Sequence, residues 1–150
     1  MIPYLRDGFL HLPSALLSFL RAPRILKVGV HVKADLTRLF NDCGLSHPHD
    51  QPFVGALEIG ALAKQHNVTT HANHSLADLT SIILHCHLPK DPGIRLSLNW
   101  DNPILTEAQQ QYAALDAYAA WCLFDTIASI PKDGMVTNTT IGGTKVKLLG

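Results

Sequence analysis

The stretch from residue 24 to residue 32 constrains the fold most, because it is the strongest strand pattern in the chain and leads directly into a helix. Its residues are largely β-branched or apolar, which predicts a mostly buried strand. A helical pattern opens at Asp35, and Gly44 stands where a glycine commonly ends a helix. A second strand pattern at residues 52–59 and a brief helical one at residues 61–66 follow. This β-α-β-α order predicts an α/β fold whose two strands are parallel.

Three further helices are predicted along the chain. The first covers residues 14–21, ahead of the strong strand. The second starts at Ser75, which forms a capping-box pattern with Asp78. The third and longest begins at residues 106–107 and ends before Pro131. The proline- and glycine-rich residues 89–93, between the second and third of these helices, are predicted to be a loop.

Composition places the chain among folded proteins of one domain. Its 150 residues are 47% hydrophobic and 16% charged, with equal numbers of acidic and basic residues. This neutral balance neither supports nor excludes binding to nucleic acid, because a groove can be basic on a neutral protein. No apolar run is long enough for a membrane-spanning helix. Three cysteines without a secreted-type spacing favour an intracellular, nuclear or cytoplasmic location.

The longest predicted helix carries a tyrosine and an aspartate on one face. Tyr112 and Asp116 stand four residues apart, so a tyrosine hydroxyl could orient water beside a metal held by the carboxylate. Taken alone, the pair would be a half-buried aromatic residue and a solvated acid, and Asp35 would be a helix cap. Histidine- and cysteine-rich runs at residues 43–49 and 85–87 raise the alternative of a zinc site, but their spacing matches no closed set of ligands.

Several segments in order decide between these interpretations. Residues 27–36, KVGVHVKADL, resemble the second motif of the DEDDy exonucleases, and residues 112–119, YAALDAYA, resemble the third. From residue 12 to residue 127 the chain is similar to the Werner exonuclease and ribonuclease D family. The intervening matches are Ser75–Leu79, Lys90-Asp91, Ile94-Arg95, Ser97, Asn99-Trp100 and Leu105-Thr106. Leu98 departs from the family pattern as an extra residue beside the predicted site.

The resemblance implies a ribonuclease H-like fold and 3'-5' exonuclease chemistry on nucleic acid, a hydrolase reaction. It implies that Asp35 and Asp116 help to hold two Mg²⁺ or Mn²⁺ ions and that Tyr112 orients the attacking water. Residues 1–130 would form a partial exonuclease domain, and residues 131–150 a hairpin or a disordered tail.

Three residues of the matching loop are candidate contacts to nucleic acid. Arg95 and Lys90 are expected to meet phosphates, although basic residues in such a loop are usually only solvated. Trp100 is the third candidate, and packing is the more ordinary role of a tryptophan at such a place. The expected substrate is the 3' end of DNA or RNA.

One motif of the family is absent. No Asp-x-Glu occurs in the sequence, and its two glutamates, Glu58 and Glu107, match positions outside that motif. Because Mg²⁺ needs several fixed oxygen ligands, the metal site is incomplete and activity is expected to be impaired. A non-catalytic module that binds nucleic acid or a protein is the alternative, and loss of upstream residues from the assigned gene is a third.

The strands that open the family's sheet are absent together with that motif. The strand at residues 24–32 would therefore lose a neighbour, and an exposed apolar edge invites pairing with another chain. This predicts self-association or a protein partner at the sheet edge.

Overall fold

The computed structural model describes residues 5–6, 9–46, 48–89, 91–96, 99–131, 140–141 and 144–145. Helices dominate this part of the chain, and the strands are short. The elements are β1 (Leu5–Arg6), β2 (Phe9–Leu10), α1 (Ser14–Arg21), β3 (Lys27–Gly29), α2 (Val32–Asp42), β4 (Ala56–Glu58), α3 (Ile59–Gln65), α4 (Leu76–Leu84), α5 (Pro92–Arg95), α6 (Glu107–Ala128), β5 (Thr140–Ile141) and β6 (Thr144–Lys145).

Strands β3 and β4 are parallel neighbours, as the β-α-β-α order predicts, with Val28 opposite Leu57. Both strands are shorter than their sequence patterns, which extend over residues 24–32 and 52–59. Strand β3 is cut short because the chain turns at His31, whose φ of 63° lies in the left-handed region, and helix α2 begins immediately afterwards. Mixed helix and strand content is therefore confirmed, with less strand than predicted.

Helix α2 begins at Val32, so Asp35 lies in its first turn and does not cap it. The sequence-based interpretation of Asp35 as the helix-opening residue is wrong by one turn. The cap comes instead from the end of β4, where the Glu58 carboxylate accepts hydrogen bonds from the backbone N–H groups of His31 (2.8 Å) and Lys33 (2.9 Å). A carboxylate at a helix N-terminus satisfies unpaired donors and complements the helix dipole.

The core lies where α3, α4 and α6 pack together against β3. Apolar faces at helical spacing supply it, as the sequence predicts for α4 and α6. The cluster of buried residues consists of Ile59, Ala63, Leu79, Ala120, Leu123 and Ile127. Burial of each large aliphatic side chain of this kind contributes about 1.5–3 kcal/mol.

Two capping boxes fix the starts of the helices that border the candidate site. The Ser75 side chain accepts from the backbone N–H of Asp78, and the Asp78 carboxylate accepts from the backbone of Ser75, which confirms the predicted capping box. Thr106 and Gln109 form the same arrangement at the start of α6. These caps set where the first turns of α4 and α6 begin.

The predicted loop at residues 89–93 needs a correction, because its end lies in the short helix α5. Pro92 occupies the first turn of α5, where its missing N–H costs nothing. Asp91 caps the turn by accepting from the backbone N–H groups of Gly93 (2.8 Å) and Ile94 (3.3 Å). Helix formation over these four residues brings Arg95 to the turn's end.

In the C-terminal segment, β5 and β6 pair as antiparallel strands. Most of the predicted tail, residues 131–150, lies outside the described residues, as do Lys90, Ser97 and Leu98. Among the helices that the structure describes, none has the length and apolar character needed to cross a lipid bilayer.

Candidate active site

A groove of about 470 Å³ lies between the start of α4, the segment after α4 and one face of α6. It brings together three of the residues that the sequence singled out, namely Tyr112, Asp116 and Arg95. Its remaining walls are mostly apolar. The other lining residues are Ser75, Leu76, Ala77, Leu88, Pro89 and Pro92.

Tyr112 and Asp116 line this groove together, and each affects the pKa of the other. One helical turn separates them, so α6 itself sets their spacing. Burial raises the pKa of the Asp116 carboxyl, and the neighbouring Tyr112 hydroxyl opposes that shift. Burial also raises the pKa of the Tyr112 hydroxyl, with a further contribution from Asp116. The groove therefore holds a protonated phenol against a partly desolvated acid.

Arg95 supplies positive charge to the groove from the end of α5. Its guanidinium acts to lower the pKa of Tyr112, against the larger effects of burial and Asp116. The Arg95 side chain is exposed, so it is accessible to an anion that enters the groove. Lys90, the other predicted phosphate contact, lies outside the described residues.

Trp100 packs beside the groove and is not among its lining residues. Its indole ring meets the ring of Tyr112 in an edge-on arrangement, with centroids 6.1 Å apart. Its Nε1–H donates to the carbonyl oxygen of Ile94 at 3.0 Å. The predicted contact to nucleic acid is thus engaged in contacts within the protein.

Asp35 is exposed in the first turn of α2 and is not among the residues that line the groove. Among the described residues no group of three or more His, Cys, Asp or Glu side chains could hold a metal ion. That finding also covers the described members of the histidine- and cysteine-rich runs, with His47 outside the described residues. Tyr112 and Asp116 share the groove, and Asp35 is not one of its lining residues.

Sequence reasoning missed Glu58, which holds the N-terminus of the helix that carries Asp35. The signal was present, since Glu58 ends the second predicted strand. The carboxyl ends of neighbouring parallel strands meet at one edge of a sheet, and the helix after the first strand starts there. A charged residue at that position was therefore a candidate for a helix cap.

A family model described as "3'-5' exonuclease" matches residues 6–130. A 3'-5' exonuclease of Arabidopsis thaliana is 32% identical over 120 residues, which are 80% of this chain and 39% of that protein. The mouse "Exonuclease 3'-5' domain-containing protein 2" is 38% identical over 131 residues, 87% of this chain and 19% of that protein. The chain belongs to the 3'-5' exonuclease family, which confirms the resemblance found in the sequence.

A solved structure is also similar, the EXD2 exonuclease domain soaked in Mn. It is 36% identical, with a TM-score of 0.35, and the match covers 80% of this chain and 55% of that one. The chain thus spans less than two fifths of the two curated relatives described above and about half of the crystallised domain.

Proposed function

We propose that this chain carries part of the active site of a metal-dependent 3'-5' exonuclease. Tyr112 orients the attacking water, Asp116 and Asp35 supply carboxylates, and Arg95 binds phosphate. The observation that carries the proposal is the pairing of Tyr112 and Asp116 on one face of α6, in the same groove as Arg95. Lys90 is proposed as a second phosphate contact on the resemblance alone.

The proposed reaction is hydrolysis of the last phosphodiester bond of a DNA or RNA strand. The water oxygen forms a bond to phosphorus, and the bond from phosphorus to the 3' oxygen of the preceding nucleotide breaks. That 3' oxygen takes up a proton, and a nucleoside 5'-monophosphate leaves. Leu76 and Leu88 offer an apolar surface for the terminal sugar and base, while Arg95 attracts the phosphate.

The metal requirement is only partly met by the residues present. When bound, two divalent ions of this kind activate water and stabilise the leaving oxygen. Mg²⁺ needs several oxygen ligands at fixed positions, whereas the described part of the chain assembles no group of three candidate ligands. Asp116 and Asp35 alone do not fit a two-ion site, so full activity requires acids supplied from elsewhere.

This shortage of ligands favours a second candidate, a non-catalytic module that binds nucleic acid or a protein. It would keep the groove and Arg95 but release no nucleotide. The two candidates differ in their dependence on Asp116, because a binding module does not need a carboxylate at that position.

The proposed architecture is ribonuclease H-like, with residues 1–130 as a partial domain and residues 131–150 as a tail. The parallel pair β3 and β4, flanked by helices, supports it. Within the described residues β3 pairs only with β4, so its other edge is open to another strand. We propose self-association or a protein partner at that edge and an intracellular location, nuclear or cytoplasmic.

The test is release of mononucleotides from the 3' end of end-labelled DNA and RNA oligonucleotides in the presence of Mn²⁺. The wild-type chain is compared with Asp116→Asn and with Asp125→Asn, a control on the exposed face of the same helix. We expect slow release by the wild type and by the control, and none by Asp116→Asn. Nucleotide binding without release, unchanged in Asp116→Asn, would overturn the nuclease proposal in favour of the binding module.

A further inference from the structure

We infer that Trp100 is a positioning residue, which couples Arg95 to Tyr112, and that it does not stack on a base of the substrate. The inference rests on the proposed function, because it assigns Trp100 a role in that same groove. The Trp100 side chain does not line the groove, but it contacts both α5 and α6, which contribute residues to the lining.

Trp100 contacts α5 through a hydrogen bond. Its Nε1–H donates to the carbonyl oxygen of Ile94, the residue before Arg95, at 3.0 Å. Helix α5 is a single turn, held at its start by the Asp91 cap. An isolated helical turn is marginal in water, so the bond from the indole stabilises the end of the turn from which Arg95 extends.

Trp100 contacts α6 through its indole ring. The indole meets the Tyr112 ring at an interplanar angle of 60°, with a centroid distance of 6.1 Å, an edge-on arrangement that aromatic pairs favour. The Gln109 side chain reinforces the contact by donating from Nε2 to the carbonyl oxygen of Asn99 at 3.3 Å. Asn99, the residue before Trp100, is thus hydrogen-bonded to the first turn of α6.

Both contacts bear on residues that line the groove. Arg95 and Tyr112 come from different elements, and Trp100 contacts one of them directly and the other through its neighbour Ile94. Displacing a positioned group by about 1 Å can lower a rate about 10²-fold. Loss of Trp100 is therefore expected to slow catalysis more than it weakens substrate binding.

The experiment compares Trp100→Leu and Trp100→Phe with Trp121→Leu in the full chain. Trp121 is the only other tryptophan, is 57% exposed, and lies on α6 outside the groove. The first measurement is Mn²⁺-dependent nucleotide release, with kcat and KM determined separately. We expect Trp100→Leu to lower kcat about 10²-fold with KM nearly unchanged, and Trp100→Phe to recover part of kcat because it keeps a ring against Tyr112.

A double-mutant cycle adds a second criterion. If Trp100 acts through Tyr112, Trp100→Leu should cost far less in a Tyr112→Phe background than in the wild type. A higher KM with unchanged kcat in Trp100→Leu would overturn the inference and indicate base stacking. Equal losses in Trp100→Leu and Trp121→Leu would overturn it as well, since they would reflect stability alone.

The third measurement does not depend on activity. In NMR spectra of protein with ¹³C-labelled tyrosine and ¹⁵N-labelled arginine, Trp100→Leu should shift both the Tyr112 ring signals and the Arg95 Nε–H signal. Trp121→Leu should shift neither. If the wild type releases no nucleotide, the proposed function fails, and these spectra alone decide the inference. It is supported when both signals move and overturned when either one stays in place.

Discussion

Tyr112 and Asp116 lie one turn apart on α6 and line the same groove, where each is partly buried and affects the pKa of the other. The Tyr112 hydroxyl thus neighbours the carboxylate that the proposed chemistry needs for a metal ion. Burial raises the pKa of both groups, which means that the folded protein disfavours their charged forms. A site built for catalysis commonly carries such a cost in stability.

The raised pKa of Asp116 predicts how stability depends on pH. A carboxyl whose pKa is higher in the folded state stabilises the protein while it is protonated, and that contribution is lost as the pH rises through the folded-state pKa. We therefore expect Asp116→Asn to gain stability relative to the wild type as the pH rises above the ordinary value of 3.8. Because Asp116 is only partly buried, solvent screens this effect, and the gain at pH 7 should stay below about 1 kcal/mol.

Urea unfolding at a series of pH values measures this difference. Asp125→Asn is the matched control, because Asp125 is an exposed acid on the same helix outside the groove of Asp116. A difference between Asp116→Asn and the wild type that stays constant or shrinks with rising pH would contradict the prediction.

The start of α6 gives a second prediction. The Thr106 hydroxyl accepts from the backbone N–H of Gln109 at 3.2 Å, so Thr106→Ala leaves that donor without its partner. We expect a loss of about 1 kcal/mol in the free energy of unfolding, and recovery of most of it in Thr106→Ser. Thr70→Ala, at an exposed threonine between α3 and α4, is the control. Equal effects of the alanine variants at Thr106 and Thr70 would argue against a capping role.

Local pattern was enough to predict most of the helices and the parallel pairing of the two strands. The capping box at Ser75 and the spacing of Tyr112 and Asp116 depend only on neighbouring residues, so both could be read directly. The left-handed turn at His31 could not, because φ above zero is uncommon in residues other than glycine and requires support from the surrounding structure.

The candidate site was predictable only where one helix carries it. Tyr112 and Asp116 share α6, but the positions of Arg95 and Trp100 depend on α5, a four-residue turn inside a segment with loop composition. The Glu58 cap joins residues 25 and 27 positions apart, a distance over which sequence periodicity carries no information. Family resemblance identified these segments but not the bonds between them.

The Glu58 carboxylate supports a third prediction, on the helix that carries Asp35. Glu58→Ala removes the acceptor for the backbone N–H groups of His31 and Lys33, and we expect a loss of about 1 kcal/mol. Amide hydrogen exchange should accelerate in the first turn of α2 more than elsewhere. The control Glu107→Ala also removes a glutamate carboxylate near a helix N-terminus, but one whose hydrogen bond is to the exposed Gln111 side chain. If exchange in α2 is the same in both variants, the cap is not formed in solution.

The last prediction concerns Gly60 in α3, which packs closely against the segment that precedes α4. A Cβ atom at Gly60 would lie 2.1 Å from the carbonyl oxygen of Ala72, a backbone atom that no side-chain rotation can move away. Gly60→Ala should therefore push the segment before Ser75 off α3 and cost about 3 kcal/mol, because overpacking against backbone forces a shift of the chain. Gly93→Ala is the control, since the nearest atom there is the Asp91 carboxylate oxygen at 3.1 Å. Even if that side chain turns aside and its cap of α5 is lost, the cost is about 1 kcal/mol. Urea unfolding measures both variants, and a Gly60→Ala protein as stable as Gly93→Ala would show that residue 72 does not lie against α3.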